Sequence, residues 1–207
     1  MYPRRFILGA AAVAPMLLAA GSPAYANTVS PDAAKAFINQ SGQKLTAIVN
    51  GSSSQAAKNE ALRQLVDQIV AVDQVGHYVL GRYINVATPA QYQKFQELFH
   101  QLLAYNITYQ INAYKGLSFT VNGAVQQGKD MVVDTTITTP DKAPADVGWA
   151  VDEVSGQPKI VDVIVAGTSL RITTRNDYAS VITDNGGQVS ALLTAMQSQI
   201  KKLSAAQ

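Results

Sequence analysis

The chain has 207 residues and no cysteine, with 16 basic residues against 14 acidic ones. Without cysteine it forms neither a disulfide nor a thiolate metal site, so a hydrophobic core has to hold it together. A near-neutral charge without basic clusters also argues against binding to nucleic acid or to an anionic membrane surface.

Residues 1–26 have the parts of a secretory signal peptide. Two arginines precede a short apolar stretch, and the sequence Ala24-Tyr25-Ala26 follows it. An uncleaved anchor is the alternative, but the stretch is too short and interrupted for a comfortable membrane span. We expect cleavage after Ala26 and export to the periplasm by the Sec or twin-arginine route. The remaining residues 27–207 carry 14 basic and 14 acidic residues and are predicted to form one domain.

Capping residues mark two helix starts in the first half of that domain. Ser30 stands before Pro31, which suits the first position of a helix. Thr88 stands three residues before Gln91, around a proline, and this spacing is typical of a capping box. Apolar residues at helical spacing follow each start.

Between these helices, residues 59–84 carry apolar side chains at steps of three and four. Asp73 and Gly76 interrupt the pattern, so we expect a kink or two separate helices. The same spacing predicts a last helix over residues 189–203.

The hydrophobic period changes from 3.6 to 2 at Leu117. Turn signals at 127–130 and 155–158, and a predicted loop from Pro140 to Pro144, separate four strands. Connections this short exclude crossovers, so the strands form an antiparallel meander. The predicted fold class is α+β: a curved antiparallel sheet of four or more strands, covered by N-terminal and C-terminal helices.

The last predicted strand leads directly into a helix. A β-branched run ends near Ala166, Gly167 provides a bend, and Leu170 to Ile172 resume an alternating pattern. Thr174 and Asp177 then have the spacing of a capping box, which predicts that the helix begins there.

Asp162 lies inside that strand, where an unpaired carboxylate would be costly. Arg175 is the nearest candidate partner along the chain. A general base in a sheet covered by helices is one reading of the pair. We favour a structural ion pair, because such pairs are common outside active sites.

Motifs for other chemistry do not occur. His77 and His100 fall on different predicted helices without further ligands at metal-binding spacing, so we expect no metal. Ser169 lies in Gly-Thr-Ser-Leu, which lacks the elbow motif of serine hydrolases. No dinucleotide or P-loop pattern is present, so we expect neither a cofactor nor catalysis.

The closing segment nevertheless resembles a known signature. Asp162-Val163, Gly167-Thr168-Ser169-Leu170 and Arg175 with Tyr178 are similar to the closing motif of the MlaC/Ttg2 family, periplasmic phospholipid-binding proteins, and of the related HpnM proteins. Further similar segments, in the same order, are Val79 to Tyr83, Ala87 to Gln91, and Phe95 with Leu98 and Phe99. Val72-Asp73 and Tyr83 depart from the family's usual Phe-Asp and Trp.

The resemblance implies a monomeric periplasmic carrier with an NTF2-like sheet and an apolar lipid cavity. Its implied partners are a phospholipid or hopanoid-like lipid, an inner-membrane ABC transporter complex with an MCE-domain subunit, and an outer-membrane lipoprotein complex. The alternatives are an NTF2-like small-ligand binder or isomerase-type enzyme, and a structural scaffold without a ligand.

We place the lipid cavity between the odd-numbered face of the final strands and helices that share faces at three- and four-residue spacing. The predicted lining consists of Val72, Val75, Val79, Phe95, Phe99, Leu102, Phe119, Val133, Trp149, Val151, Val163 and Val165. An ordinary close-packed core would give the same stripe, so this alternative stays open. Asp162, Gly167 and Arg175 are predicted to be structural.

Overall fold

The computed structural model describes residues 29–111 and 116–205, without the side chains of residues 109–111. The predicted signal peptide therefore lies outside the described residues. The helices are α1 (Pro31–Asn50), α2 (Gln55–Ile69), α3 (Val72–Leu80), α4 (Pro89–Ile111), α5 (Leu170–Asp184) and α6 (Val189–Ser204), with a 3-10 turn at Gly81–Asn85. The strands are β1 (Ser118–Gln127), β2 (Asp130–Thr139), β3 (Lys142–Val154), β4 (Gln157–Val165) and β5 (Thr168–Ser169).

Both helix starts predicted from capping residues are confirmed. The Ser30 hydroxyl accepts a hydrogen bond from the amide of Ala33 at 3.2 Å, at the start of α1. At α4, the Gln91 amide donates to Thr88 Oγ1 at 3.2 Å and the Thr88 amide donates to Gln91 Oε1 at 2.9 Å. The two reciprocal bonds satisfy amides that the helix itself leaves free.

The predicted break in the second helical segment is confirmed, but it lies earlier than expected. Val70 is extended, with φ −102° and ψ 138°, and forms a parallel bridge with Ile160. The Ala71 amide donates to the Ile160 carbonyl at 2.9 Å. Backbone pairing with β4 therefore ends α2, and Asp73 and Gly76 lie within α3.

The antiparallel meander is confirmed, in the order β1-β2-β3-β4-β5. β3 begins at Lys142, so the predicted loop from Pro140 to Pro144 is mostly strand. The tight turn at Pro140 and Asp141 lets the alternation start five residues before the predicted Val147.

The predicted start of α5 is wrong. The helix begins at Leu170, and Ser169 caps it by accepting a hydrogen bond from the Ile172 amide at 3.0 Å. Serine is preferred over threonine as an N-cap residue, and Ser169 is the last residue of β5, so the chain turns into the helix as soon as the strand ends. Thr174 and Asp177 are ordinary residues inside α5.

α1 covers one face of the sheet. Its Ala34 and Ile38 pack with Met131, Val133 and Val151, and the half-buried Phe119, Trp149 and Val163 join this cluster. A bulge in β4 pairs Val151 with Ile160 and Ala150 with Asp162, which leaves Val161 as an extra residue. Val161 therefore lies on the opposite face, in a cluster with Ala71, Val132 and Ala150.

The remaining helices form a separate core of their own. Phe95, which is fully buried, stacks on Phe99 with ring centroids 5.8 Å apart. The rest of this bundle cluster includes Val66, Val72, Val79, Leu80, Leu98, Leu102, Ile182, Val189, Leu192 and Met196. Gly76 lets α3 approach α4 closely, because a Cβ there would lie 2.3 Å from Gln96 Oε1.

Candidate functional site

Two adjoining cavities open on the sheet face opposite α1. The first, here called the helix-side cavity, has a volume of about 540 Å³. Its apolar and aromatic walls come from Val75 and Tyr78 of α3, Tyr92 of α4 and Val161 of β4. Its polar lining residues are Asp73, Gln74, His77, Lys129 and Arg171.

The second, here called the sheet-side cavity, has a volume of about 680 Å³. Its floor is the face of the sheet that carries Val132, Ala150 and Ile164. Side chains around it include Asn122, Gln127, Asp134, Asp146 and Ile172. Asp130, Asp162 and Arg171 also line it, and Arg171 lines the helix-side cavity as well. The sheet-side cavity is thus an apolar floor with a polar rim.

The structure does not bring the predicted cavity lining together. Val72, Val79, Phe95, Phe99 and Leu102 are buried in the bundle cluster. Phe119, Val133, Trp149, Val151 and Val163 pack beneath α1, and Val165 is 38% exposed. Only Val75 of the twelve lines either cavity. The lipid cavity was expected on the odd-numbered face of the sheet, but α1 covers that face and both cavities open on the opposite one. Lipid contact by these residues stays a prediction.

Asp162 is buried, as expected, but its partners are different ones. Its Oδ1 accepts hydrogen bonds from the amides of Val163 at 2.8 Å and Arg171 at 2.9 Å, and its Oδ2 accepts one from Ser169 Oγ. The nearest guanidinium nitrogen is Arg171 Nε, 3.7 Å from Oδ2. The pairing with Arg175 predicted from the sequence is therefore wrong, because α5 begins one turn earlier and brings Arg171 to the strand instead.

Arg175 instead joins α5 to the end of α3. Its guanidinium carbon lies 5.0 Å from the centre of the Tyr78 ring, within the range of a cation–π contact. Gly81 has a φ of +55°, and a Cβ at that position would lie 3.1 Å from the Arg175 guanidinium. Gly167, the third predicted structural residue, has a φ of +75° in the turn between β4 and β5, which suits glycine.

Arg171 connects the charged groups of the site. Its guanidinium donates to Asp130 Oδ2 at 3.0 Å and lies 4.6 Å from the centre of the Tyr78 ring. Lys129 continues the network, 2.7 Å from Asp152 Oδ2 and 3.6 Å from Asp130 Oδ1. The hydrogen bond to Asp152 raises the pKa of Lys129. No pattern in the sequence identifies Arg171, Asp130 and Lys129 as members of one site, because only the start of α5 at Leu170 places Arg171 beside the sheet.

Tyr178 belongs to the bundle rather than to the cavities. Its ring meets Phe95 and Phe99 edge-on, with centroids 6.1 Å and 6.5 Å away. Burial, with a smaller contribution from the Asp177 charge, raises the pKa of Tyr178 to about 12. Its place in the closing motif is therefore explained by packing.

The residues that the structure describes show no metal-binding cluster. None of their histidine and carboxylate side chains form a group of three that could hold a metal ion. The Ser169 hydroxyl is committed to Asp162 and to the capping of α5. Within the same residues, no helix is both long and apolar enough to cross a bilayer.

The sequence profile of the MlaC protein family matches residues 24–198. The chain belongs to the MlaC family. It is 25% identical over 145 residues to the toluene tolerance protein ttg2D of Pseudomonas putida, covering 69% of this chain and 67% of that protein. Its fold is similar to that of a phospholipid-binding protein from Ralstonia solanacearum, solved in complex with a phospholipid. That match has a TM-score of 0.72 and 23% identity, and covers 83% of this chain and 98% of the other.

Proposed function

We propose that this MlaC-family protein is a periplasmic lipid carrier that holds phospholipid acyl chains in the two adjoining cavities. The observation that carries the proposal is the apolar wall of the helix-side cavity, formed by Val75, Tyr78, Tyr92 and Val161. Each methylene removed from water contributes roughly 0.8 kcal/mol, so such a wall suits an acyl chain. The ttg2D relative and the phospholipid complex of the structural neighbour support this assignment.

In this proposal Val75 touches the lipid directly. Val72, Val79, Phe95, Phe99 and Leu102 form the packed core behind the helical wall, and the predicted sheet residues support the floor from its other face. The proposed cargo is a phospholipid, and the alternative is a hopanoid-like lipid. Analysis of the chemical composition of the bound material distinguishes the two.

The proposed route runs between an outer-membrane lipoprotein complex and an inner-membrane ABC transporter of the Mla type, with its MCE-domain subunit. The family membership and the signal-peptide pattern of residues 1–26 support a periplasmic location. A transfer assay tests this part. The purified protein should move labelled lipid between vesicles that carry either complex, and not between plain vesicles.

An isomerase-type enzyme is the competing reading of a buried carboxylate in such a fold. Asp162 accepts three hydrogen bonds from its own chain, which favours a structural carboxylate over a base facing a ligand. A lipid carrier should yield extractable lipid after purification, whereas a scaffold without a ligand should yield none.

Gentle purification followed by lipid extraction and mass spectrometry tests lipid binding. The carrier should yield stoichiometric lipid. A ligand that binds only the folded state also stabilises that state, so the lipid should affect the Tm. Removal of the lipid by unfolding and refolding should lower the Tm, and added phospholipid should restore it. The carrier role would be excluded if the protein yielded no extractable lipid and added phospholipid left its Tm unchanged.

A further inference from the structure

Arg171 alone is common to the linings of the helix-side and sheet-side cavities. Its side chain is 16% exposed and contacts Asp130 and the Tyr78 ring where the two linings meet. The guanidinium makes one hydrogen bond, to Asp130 at 3.0 Å, and its buried Nε has no hydrogen-bond partner among the described residues. Arg171 is thus held there by one charge-assisted hydrogen bond, one ring contact and a longer ion pair with Asp162, 3.7 Å from its Nε.

Asp162 is held by hydrogen bonds that do not come from this guanidinium. Its two oxygens accept hydrogen bonds from the Val163 amide, the Arg171 amide and Ser169 Oγ, while Arg171 Nε stays 3.7 Å away. These three bonds come from the backbone and from the cap of α5. None of them involves the arginine side chain.

Asp130 has a second cation within reach. Its Oδ1 is buried without a hydrogen bond and lies 3.6 Å from Lys129 Nζ. Lys129 sits on the turn before β2, and its side chain is 64% exposed. Its Nζ is bound to Asp152 Oδ2 at 2.7 Å, so a closer approach to Asp130 shares or replaces that bond. If Arg171 left Asp130, Lys129 would remain as a counter-charge, so Asp130 would not become a buried unpaired charge, which would be costly.

We propose that Arg171 is a movable partition that determines whether the protein accepts a lipid with two acyl chains. This inference rests on the proposed carrier function. With Arg171 on Asp130, the cavities of about 540 and 680 Å³ are separate, and each has the size of a small-ligand site, roughly 300–1,000 Å³. When Arg171 swings away and Lys129 takes over Asp130, the two cavities become one longer groove. A single-chain lipid fits the helix-side cavity without this movement.

The test compares two probes, lysophosphatidylcholine with one chain and phosphatidylcholine with two, both offered to delipidated protein. Arg171→Met removes the guanidinium but keeps the bonds of Asp162 and the Lys129–Asp130 pair. It should raise the loading rate of the two-chain probe relative to the one-chain probe by about tenfold, since one charge-assisted hydrogen bond no longer has to break. Lys129→Met removes the replacement cation and should shift the same ratio in the opposite direction.

Arg175→Met is the matched control, because Arg175 contacts the same Tyr78 ring at 5.0 Å but lines neither cavity. It should leave the ratio within about twofold of wild type. The partition is overturned if Arg171→Met changes both rates by the same factor, or if Arg175→Met reproduces its effect. Should Arg171→Met fail to fold, Lys129→Met decides, and an unchanged ratio there overturns the inference. Wild-type protein that binds neither probe overturns the carrier function itself.

Discussion

The Arg175 guanidinium lies against the backbone of Gly81, where a Cβ would be only 3.1 Å away. This contact joins the end of α3 to α5, two segments that are far apart in the sequence. Gly81 meets two demands there, because its φ of +55° is unfavourable for other residues and its missing side chain leaves room for the arginine. Both segments belong to the motifs by which the sequence resembled its family.

Gly81→Ala should therefore destabilise the protein. The backbone at φ +55° and ψ −131° costs roughly 1–3 kcal/mol for a residue with a Cβ, and the close approach of Arg175 adds to it. The measurement is chemical denaturation. Gly123→Ala is the control, because a Cβ at position 123 would have open space around it and no positive φ is required. A Gly81 variant as stable as the Gly123 variant would contradict this account.

Asp162→Asn should cost roughly 2–4 kcal/mol, because one carboxylate oxygen becomes an amide donor that faces other donors. Asp134 is exposed on the same face of the sheet, so Asp134→Asn serves as the control and should change the free energy of unfolding by less than about 0.5 kcal/mol. Urea unfolding of both variants measures the difference. An Asp162 variant with wild-type stability and a lost turnover would instead support the catalytic reading.

Tyr178 predicts a loss of stability at alkaline pH. Burial raises its pKa from 10 to about 12, so the folded state holds the phenol proton more tightly than the unfolded state does. This contribution is complete below pH 10 and is lost as the pH rises towards 12. Tyr178→Phe and wild type should have the same free energy of unfolding at pH 8. Between pH 8 and pH 12 the free energy of unfolding of wild type should fall by up to about 2 kcal/mol more than that of Tyr178→Phe. The raised pKa of Lys129 acts in the same direction and is common to both proteins. Parallel pH profiles would contradict the assignment.

Val75→Trp and Val163→Trp should have opposite consequences. Val75 lines the helix-side cavity, so a tryptophan there fills empty space and should reduce bound lipid while the fold persists. Val163 packs in the cluster beneath α1, so a tryptophan there should destabilise by roughly 1–3 kcal/mol through overpacking. Thermal unfolding and lipid extraction measure the two effects. A stable Val163 variant without lipid would return the cavity to the odd-numbered face.

The order of helices and strands could be predicted from local signals. Ser30 and the Thr88–Gln91 pair identified their helix starts because capping is a short-range interaction. Strand alternation and short turns likewise predicted the meander. Where two capping residues competed, at Ser169 and Thr174, the spacing of Thr174 and Asp177 suggested the wrong start, and only the tertiary position of β5 decides between them.

The site was less predictable, because it depends on which element covers which face. The alternation of Trp149 and Val163 correctly indicated a buried face, but not that α1 would cover it. Asp162 drew attention by its polarity, whereas its true neighbour Arg171 depends on where α5 starts. The cavities arise where α3, α5 and the sheet fail to close, which no residue pattern along the chain records.

The extra residue Val161 has a consequence for changes in chain length. The bulge lets Ile160 face α1 while its carbonyl still receives the Ala71 amide, and it leaves Asp162 on the other face beside α5. Deleting one residue there would turn either Ile160 or Asp162 to the opposite face of the sheet and break its contact. The exposed turn at Ser155 and Gly156 carries no such pair of contacts. Insertions should therefore be accepted at that turn, and a single deletion in the middle of β4 should prevent folding.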